Sequence, residues 1–421
     1  MATITLKQGD VIQQLKTIPD ESIDAVIQDP PYNLSFMNKK WDSKGAPQDF
    51  QKWCQSWAEE CLRVLRPGGY LLSFGGTRTY HRMTAGIEDA GFEIKDCLTY
   101  LYGTGFPKSL SIGKAWDKKM GNERTFVGLN PNHRPNSPKD NTKGDYNPNS
   151  EGNKTITQGT SVWEGYGTAL KPAAEPIVLA QKPKIGTYVE NLVEYSIGAM
   201  NINSTRIPTN PEVDDMLRIV ERKGRDKASD WAVNSGFKNE TNNLTGVPAD
   251  GRFPANVIHD GSTVIVNQFP NSSGAGGSIP KVKVGGFGRN IGDGTYEYDD
   301  SERKPFNSGE GSVARFFYCA KPSKSEKTVF KTINNTHPTV KPIKLLDWLI
   351  KLVCPPAEHM GRQPVILDCF VGSGTTAIAA HRNNVDCIGI DINEEYLDIA
   401  KQRLLNDDKL NGGLENPIVN Y

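Results

Sequence analysis

Residues 365–391 read as strand, glycine turn, helix, strand and acid, and that order constrains the fold more than any other feature of the chain. Val365-Ile366-Leu367 is a short apolar strand that runs through Asp368, Cys369 and Phe370 into Gly372-Ser373-Gly374. A helix over Thr375–His381, a strand over Cys387–Ile390 and Asp391 follow. Such a βαβ unit belongs in a parallel sheet and places the free N–H groups of the helix start beside a nucleotide-like ligand. Gly372 and Gly374 permit a tight turn and close backbone approach. Asp391 falls about twenty residues on, where an acid accepts hydrogen bonds from ribose hydroxyls. Ala377 and Ile378 stand where a dinucleotide fingerprint carries its third glycine, so a mononucleoside cofactor is the better match.

The amino-terminal hundred residues have the same parallel-sheet rhythm. A strand over residues 22–28 ends at Asp29, and a helix over Trp53–Leu65 is stopped by Pro67-Gly68-Gly69. A strand over Tyr70–Phe74, a helix over Met83–Ala90 and a strand region over Phe92–Tyr102 follow. Asp29-Pro30-Pro31-Tyr32 then sits just past a strand end, where open α/β sheets hold their ligands. Two prolines remove two N–H donors and leave carbonyls free to accept. A carboxylate and a proline carbonyl can each take one hydrogen of an amine attached to a base, which localises its lone pair, while Tyr32 offers a flat stacking face. About 340 residues separate this turn from the glycine loop, so only folding can bring them together.

The two motifs, taken in that order, resemble the amino-methylating DNA methyltransferases that use S-adenosylmethionine, in the permuted (beta-type) group whose catalytic motif precedes its cofactor motif. Gly9-Asp10 is similar to the family's opening segment, Thr336–Pro342 to its cofactor-flanking motif, and Gly389-Ile390-Asp391 to its ribose-side segment. Cys369 departs from the commoner proline, and Phe106-Pro107-Lys108-Ser109 is similar to methylases of phages and prophages. The resemblance implies a Rossmann-like α/β sheet with circularly permuted motif order and an inserted target-recognition region. It assigns catalysis to Asp29, Pro30, Pro31 and Tyr32. It assigns the cofactor to Asp10, Asp368, Phe370, Gly372, Ser373, Gly374, Thr375, Asp391, His337, Thr339 and Lys341. No metal is expected, because the leaving group departs as a neutral thioether. Lys341 either contacts the cofactor carboxylate or starts a helix, and Phe36, Trp41 and Tyr102 are candidates for the base pocket.

The expected organisation is a catalytic half at 1–105, a polar insertion at 106–170, a strand returning to the sheet at 171–190, a target-recognition region at 191–330 and a cofactor half at 331–421. The implied reaction is methylation of N6 of adenine in double-stranded DNA. N4 of cytosine is the runner-up, and an RNA methyltransferase or an inactive DNA-binding module are more distant rivals. Formal net charge is zero, so attraction to DNA must come from local patches such as Lys281, Lys283, Arg289, Arg315, Lys321, Lys324, Lys327 and Lys331. No apolar run is long enough to span a bilayer. Seven cysteines at scattered spacings fit a reducing cytoplasm better than a disulfide framework or a zinc site. Residue types leave open the recognition sequence, a homodimer and a companion restriction nuclease.

Overall fold

The computed structural model describes residues 2–34, 42–103, 105, 109–130, 155–208, 220–221, 244–245, 251–273, 310–320, 340–410 and 418–420. Its centre is a ten-stranded sheet. In chain order the strands are β1 (Thr3–Gln8), β2 (Ile23–Gln28), β3 (Leu65–Phe74), β4 (Glu93–Leu101), β5 (Ala174–Gln181), β6 (Val257–His259), β7 (Tyr318–Cys319), β8 (Val365–Asp368), β9 (Asp386–Asp391) and β10 (Ile418–Asn420). Across the sheet they run β7-β6-β4-β5-β3-β2-β8-β9-β1-β10. Every neighbouring pair is parallel except the two that β5 makes with β3 and β4.

Helices cover both faces, as a parallel sheet buried on two sides requires. On one face lie α1 (Val11–Leu15), α2 (Pro47–Val64) and α3 (Tyr80–Asp89). Phe50, Cys54, Trp57, Ala58, Cys61 and Val64 recur at helical spacing along α2 and are buried against Val26, Leu71 and Leu367 of the sheet. On the other face, α4 (Ile343–Val353), α5 (Thr375–Arg382) and α6 (Glu394–Leu410) pack on Ile27, Leu72 and Ile366. Asp24 is fully buried in β2, and its charge is compensated by Arg66 at 2.8 Å, by Arg362 at 2.8 Å and by the Val365 N–H at 2.7 Å. This one carboxylate ties β2 to the start of β8.

The structure departs locally from the sequence reading. Pro67-Gly68-Gly69 does not separate helix from strand: α2 ends at Val64 and β3 begins at Leu65, with the extra residues absorbed in a register shift opposite Ile23–Ala25. The polar stretch after residue 106 contains a helix over Ile112–Met120, capped by the Ser111 hydroxyl and by Gly121 at φ 72°. It also contains the antiparallel pair Thr125–Leu129 and Thr155–Gln158. Two strands from within 191–330, β6 and β7, extend the main sheet beside β4. Phe36, Trp41, Phe106, Pro107, Lys108, His337, Thr339 and the basic residues named above other than Arg315 lie outside the described residues.

Candidate active site

β2 and β8 are neighbours, with Ala25 opposite Ile366 and Val26 opposite Leu367. The chain leaves β2 toward α2 on one face and leaves β8 toward α5 on the other, so a crevice opens between their carboxyl ends. Asp29–Tyr32 and the glycine loop therefore lie side by side and share a cavity of about 1950 Å³. Of the sequence-predicted site residues, Asp10, Asp29, Pro30, Pro31, Tyr32, Lys341, Asp368, Phe370, Gly372, Ser373, Thr375 and Asp391 all line it, as does Tyr102.

The Asp29–Tyr32 turn is held from two directions. Asp42, itself buried, accepts the N–H groups of Asn33 at 2.9 Å and Leu34 at 3.1 Å. The Thr79 hydroxyl donates to the Tyr32 carbonyl at 2.7 Å. Asn33 takes φ 56°, a left-handed conformation that asparagine tolerates better than most residues. Within the turn, the Tyr32 hydroxyl donates to Asp29 Oδ1 at 2.6 Å.

Lys341 adds a contact that the sequence did not reveal. Its Nζ lies 3.0 Å from Asp29 Oδ2 and 3.1 Å from Glu175 Oε1, and donates to the Tyr32 hydroxyl at 3.2 Å. It also lies over the Phe74 ring, 4.9 Å from the centroid. Burial opposes the ammonium charge, but Asp29 and then Glu175 outweigh it and hold its pKa above the ordinary lysine value. Burial raises the Tyr32 hydroxyl well above the usual tyrosine range, and the charges of Asp29 and Glu175 raise it further. Lys341 stands just before α4, as a helix-start reading expects, but its ammonium is engaged with the carboxylates of Asp29 and Glu175. Glu175, at the beginning of β5, arrives from a strand that the sequence identified without indicating which way its first acid points.

On the cofactor side, Gly372 at φ 49° and Gly374 at φ 82° make the left-handed turns that only glycine adopts freely. A side chain at Gly374 would meet Ala400 Cβ at 2.6 Å. Asp391 accepts the Gly372 N–H at 2.9 Å and the Asn393 N–H at 2.8 Å, so this acid also shapes the loop. Its carboxyl is raised by burial, against the opposing effect of those N–H groups. Asp368 accepts the Phe370 N–H at 2.9 Å and is pushed up to about 7, chiefly by burial and further by Asp29 and Asp391. Asp10 caps α1 through the N–H groups of Ile12 and Gln13. Arg403, buried on α6, donates to the Ser373 hydroxyl at 2.9 Å and the Thr375 hydroxyl at 3.1 Å. Sequence reasoning missed Arg403 because an arginine on an amphipathic helix carries no mark of what it reaches. The turn, the acids around it and the amide of Gln28 at the cavity wall, without a partner among the described residues, suit a polar, nucleoside-type group.

Sheet order and crevice define the class: a Rossmann-like α/β protein with a nucleotide-type loop at its switch point. Residues 23–402 match the N6_N4_Mtase family, described as DNA methylase, and the chain belongs to that family. It is 26% identical over 235 residues to the type II methyltransferase M.HindIII of Haemophilus influenzae, a match covering 47% of this chain and 64% of that enzyme. It is 30% identical over 104 residues to the type II methyltransferase M.HinfI of H. influenzae, covering 21% and 29%. The matches thus span less than two thirds of each of these relatives. Among solved structures, the cytosine-N4-specific PvuII DNA methyltransferase is 14% identical, with 98% of this chain and 94% of that chain covered and a TM-score of 0.45.

Proposed function

We propose that this chain transfers a methyl group from S-adenosylmethionine to N6 of adenine in double-stranded DNA. The observation that carries the reading is the shared cavity, where the acid–diproline turn and the glycine loop meet at adjacent strand ends. Its volume of about 1950 Å³ exceeds what one small ligand needs, which suits a cofactor and an extruded base together.

When bound, S-adenosylmethionine supplies a methyl group on a positively charged sulfur. Asp29 and the Pro30 carbonyl accept the two hydrogens of the target amine and direct its lone pair toward the cofactor loop. Tyr32, fixed by its bond to Asp29, stacks on the base. Asp29, Glu175 and Lys341 together leave one excess negative charge beside the amine, which stabilises the positive charge that nitrogen gains as it forms its new bond. The proton then leaves to Asp29 or to solvent. Asp10 and Asp391 would hold the cofactor's nucleoside, and the backbone of Gly372–Thr375 would hold its other end. His337 and Thr339 are assigned there by resemblance alone.

An aspartate leading the catalytic turn favours adenine, and motif order favours the permuted branch of the family. Residues 191–330 are assigned to sequence recognition, so deleting 274–309 should abolish site-selective binding while sparing cofactor binding. Mass spectrometry of nucleosides from DNA incubated with protein and cofactor tests the target base. N6-methyladenine is expected; N4-methylcytosine without it rejects the adenine assignment. Asp29→Ala should lower turnover by about 10²- to 10³-fold with cofactor affinity retained.

A further inference from the structure

Gln28 ends β2, directly before Asp29, and is only 1% exposed. It lines the cavity, yet among the described residues neither Oε1 nor Nε2 of its side chain has a hydrogen-bond partner. A carboxamide carries an acceptor oxygen and two N–H donors, and leaving both ends unmet inside a protein is unfavourable. The acids at neighbouring strand ends are satisfied: Asp368 accepts from Phe370, and Asp391 from Gly372 and Asn393. An amide kept unpaired at a cavity wall marks a place that a ligand fills.

Its position narrows the ligand. Alternate residues of a strand share a face, so Gln28 lies on the face of Val26. Val26 packs in one cluster with Leu367, Cys369 and Ile390, the residues leading into the glycine loop and Asp391. Lys341 and Tyr32 lie against the opposite cluster, which contains Phe74. Gln28 thus lies beside the strand end that leads into the glycine loop, on the face opposite Lys341 and Tyr32. We infer that Gln28 is a cofactor-contact residue that holds the amino-acid end of S-adenosylmethionine, with Nε2 donating to its carboxylate and Oε1 accepting from its ammonium. An acceptor and a donor carried on one carbon match both unmet ends at once. The inference rests on the cofactor named under the proposed function.

Titration calorimetry of the full chain with two adenosine thioethers tests it. S-adenosylhomocysteine keeps the amino-acid end, and 5′-methylthioadenosine lacks it. Gln28→Met, of similar length and without polar ends, should weaken S-adenosylhomocysteine by about tenfold or more and change methylthioadenosine by less than about twofold. Gln28→Glu, which keeps an acceptor and loses the donor, should give the same pattern. The ligand-free Met variant should melt at or above the wild-type temperature, because a partnerless amide has been replaced by a side chain that needs none. Equal weakening of both ligands, unchanged S-adenosylhomocysteine affinity, or a lowered melting temperature would each overturn the assignment. Wild-type protein that binds neither ligand would overturn the cofactor reading and this inference with it. Wild-type binding with an unaffected variant overturns the inference alone.

Discussion

Replacing Asp368 with Asn makes the buried acid before the glycine loop measurable. Its carboxyl titrates near 7, pushed up chiefly by burial and then by Asp29 and Asp391. Between the ordinary 3.8 and about 7, the folded protein retains a proton that the unfolded chain has already released. The native state therefore binds more protons in that window, and stability falls as pH rises through it. The penalty is absent below the unfolded value and complete above the folded one. At about 1.4 kcal/mol per pH unit, the fall attributable to Asp368 between pH 5 and pH 8 is about 3 kcal/mol. Asn keeps an acceptor for the Phe370 N–H and cannot ionise. Whatever fixed offset the substitution introduces, the variant should gain about 3 kcal/mol on the wild type between pH 5 and pH 8. Urea unfolding of ligand-free protein at the two pH values reads this difference directly. A relative stability that agrees at both within about 0.5 kcal/mol refutes the reasoning.

Three further substitutions probe the two sides of the cavity. Lys341→Met leaves the Asp29 and Glu175 carboxylates facing each other without their shared ammonium and should destabilise by about 3 kcal/mol. Adding Glu175→Gln should recover about half of that in a urea-denaturation double-mutant cycle, and no recovery would show that the three groups are not coupled. Gly374→Ala places a methyl group against Ala400 at a left-handed φ of 82° and should cost about 2 kcal/mol or more. S-adenosylhomocysteine affinity should fall with it, and calorimetry showing wild-type affinity would count against the loop as the cofactor cradle.

The sequence made the two ends of the crevice legible because each is a local pattern. The strand over residues 22–28 stops at an acid and two prolines, and the apolar run over 365–367 leads through an acid to two glycines. Their adjacency also followed, since ligands in such sheets gather where neighbouring strands send their helices to opposite faces. The charge cluster was hidden: Lys341 lies 166 residues from Glu175 and 309 from Tyr32, and no periodicity links segments that far apart. The sheet edge was hidden for another reason. β6 and β7 have three and two residues, too few for alternation to register against surrounding turns. β1 carries a legible pattern: Ile4 and Leu6 alternate with exposed or half-buried partners in a single turn-free run. That the Gln28 amide finds no partner among the described residues could not be anticipated, because a glutamine at a strand end gives no hint of whether its side chain finds a neighbour.

β6 and β7 also set the terms on which the middle of this chain could be exchanged. The polypeptide returns from its long central excursion to hydrogen-bond along β4 at Val257–His259, and β7 adds a further rung with Ile258 opposite Tyr318. A transplant cut at residues 191 and 330 would carry off the border of the catalytic sheet and leave β4 with a bare edge. Cuts placed after Ser273 and before Glu310 would keep that border with the recipient. Specificity carried by this stretch is then portable only between fixed anchors, and every donor must fit the same two footings.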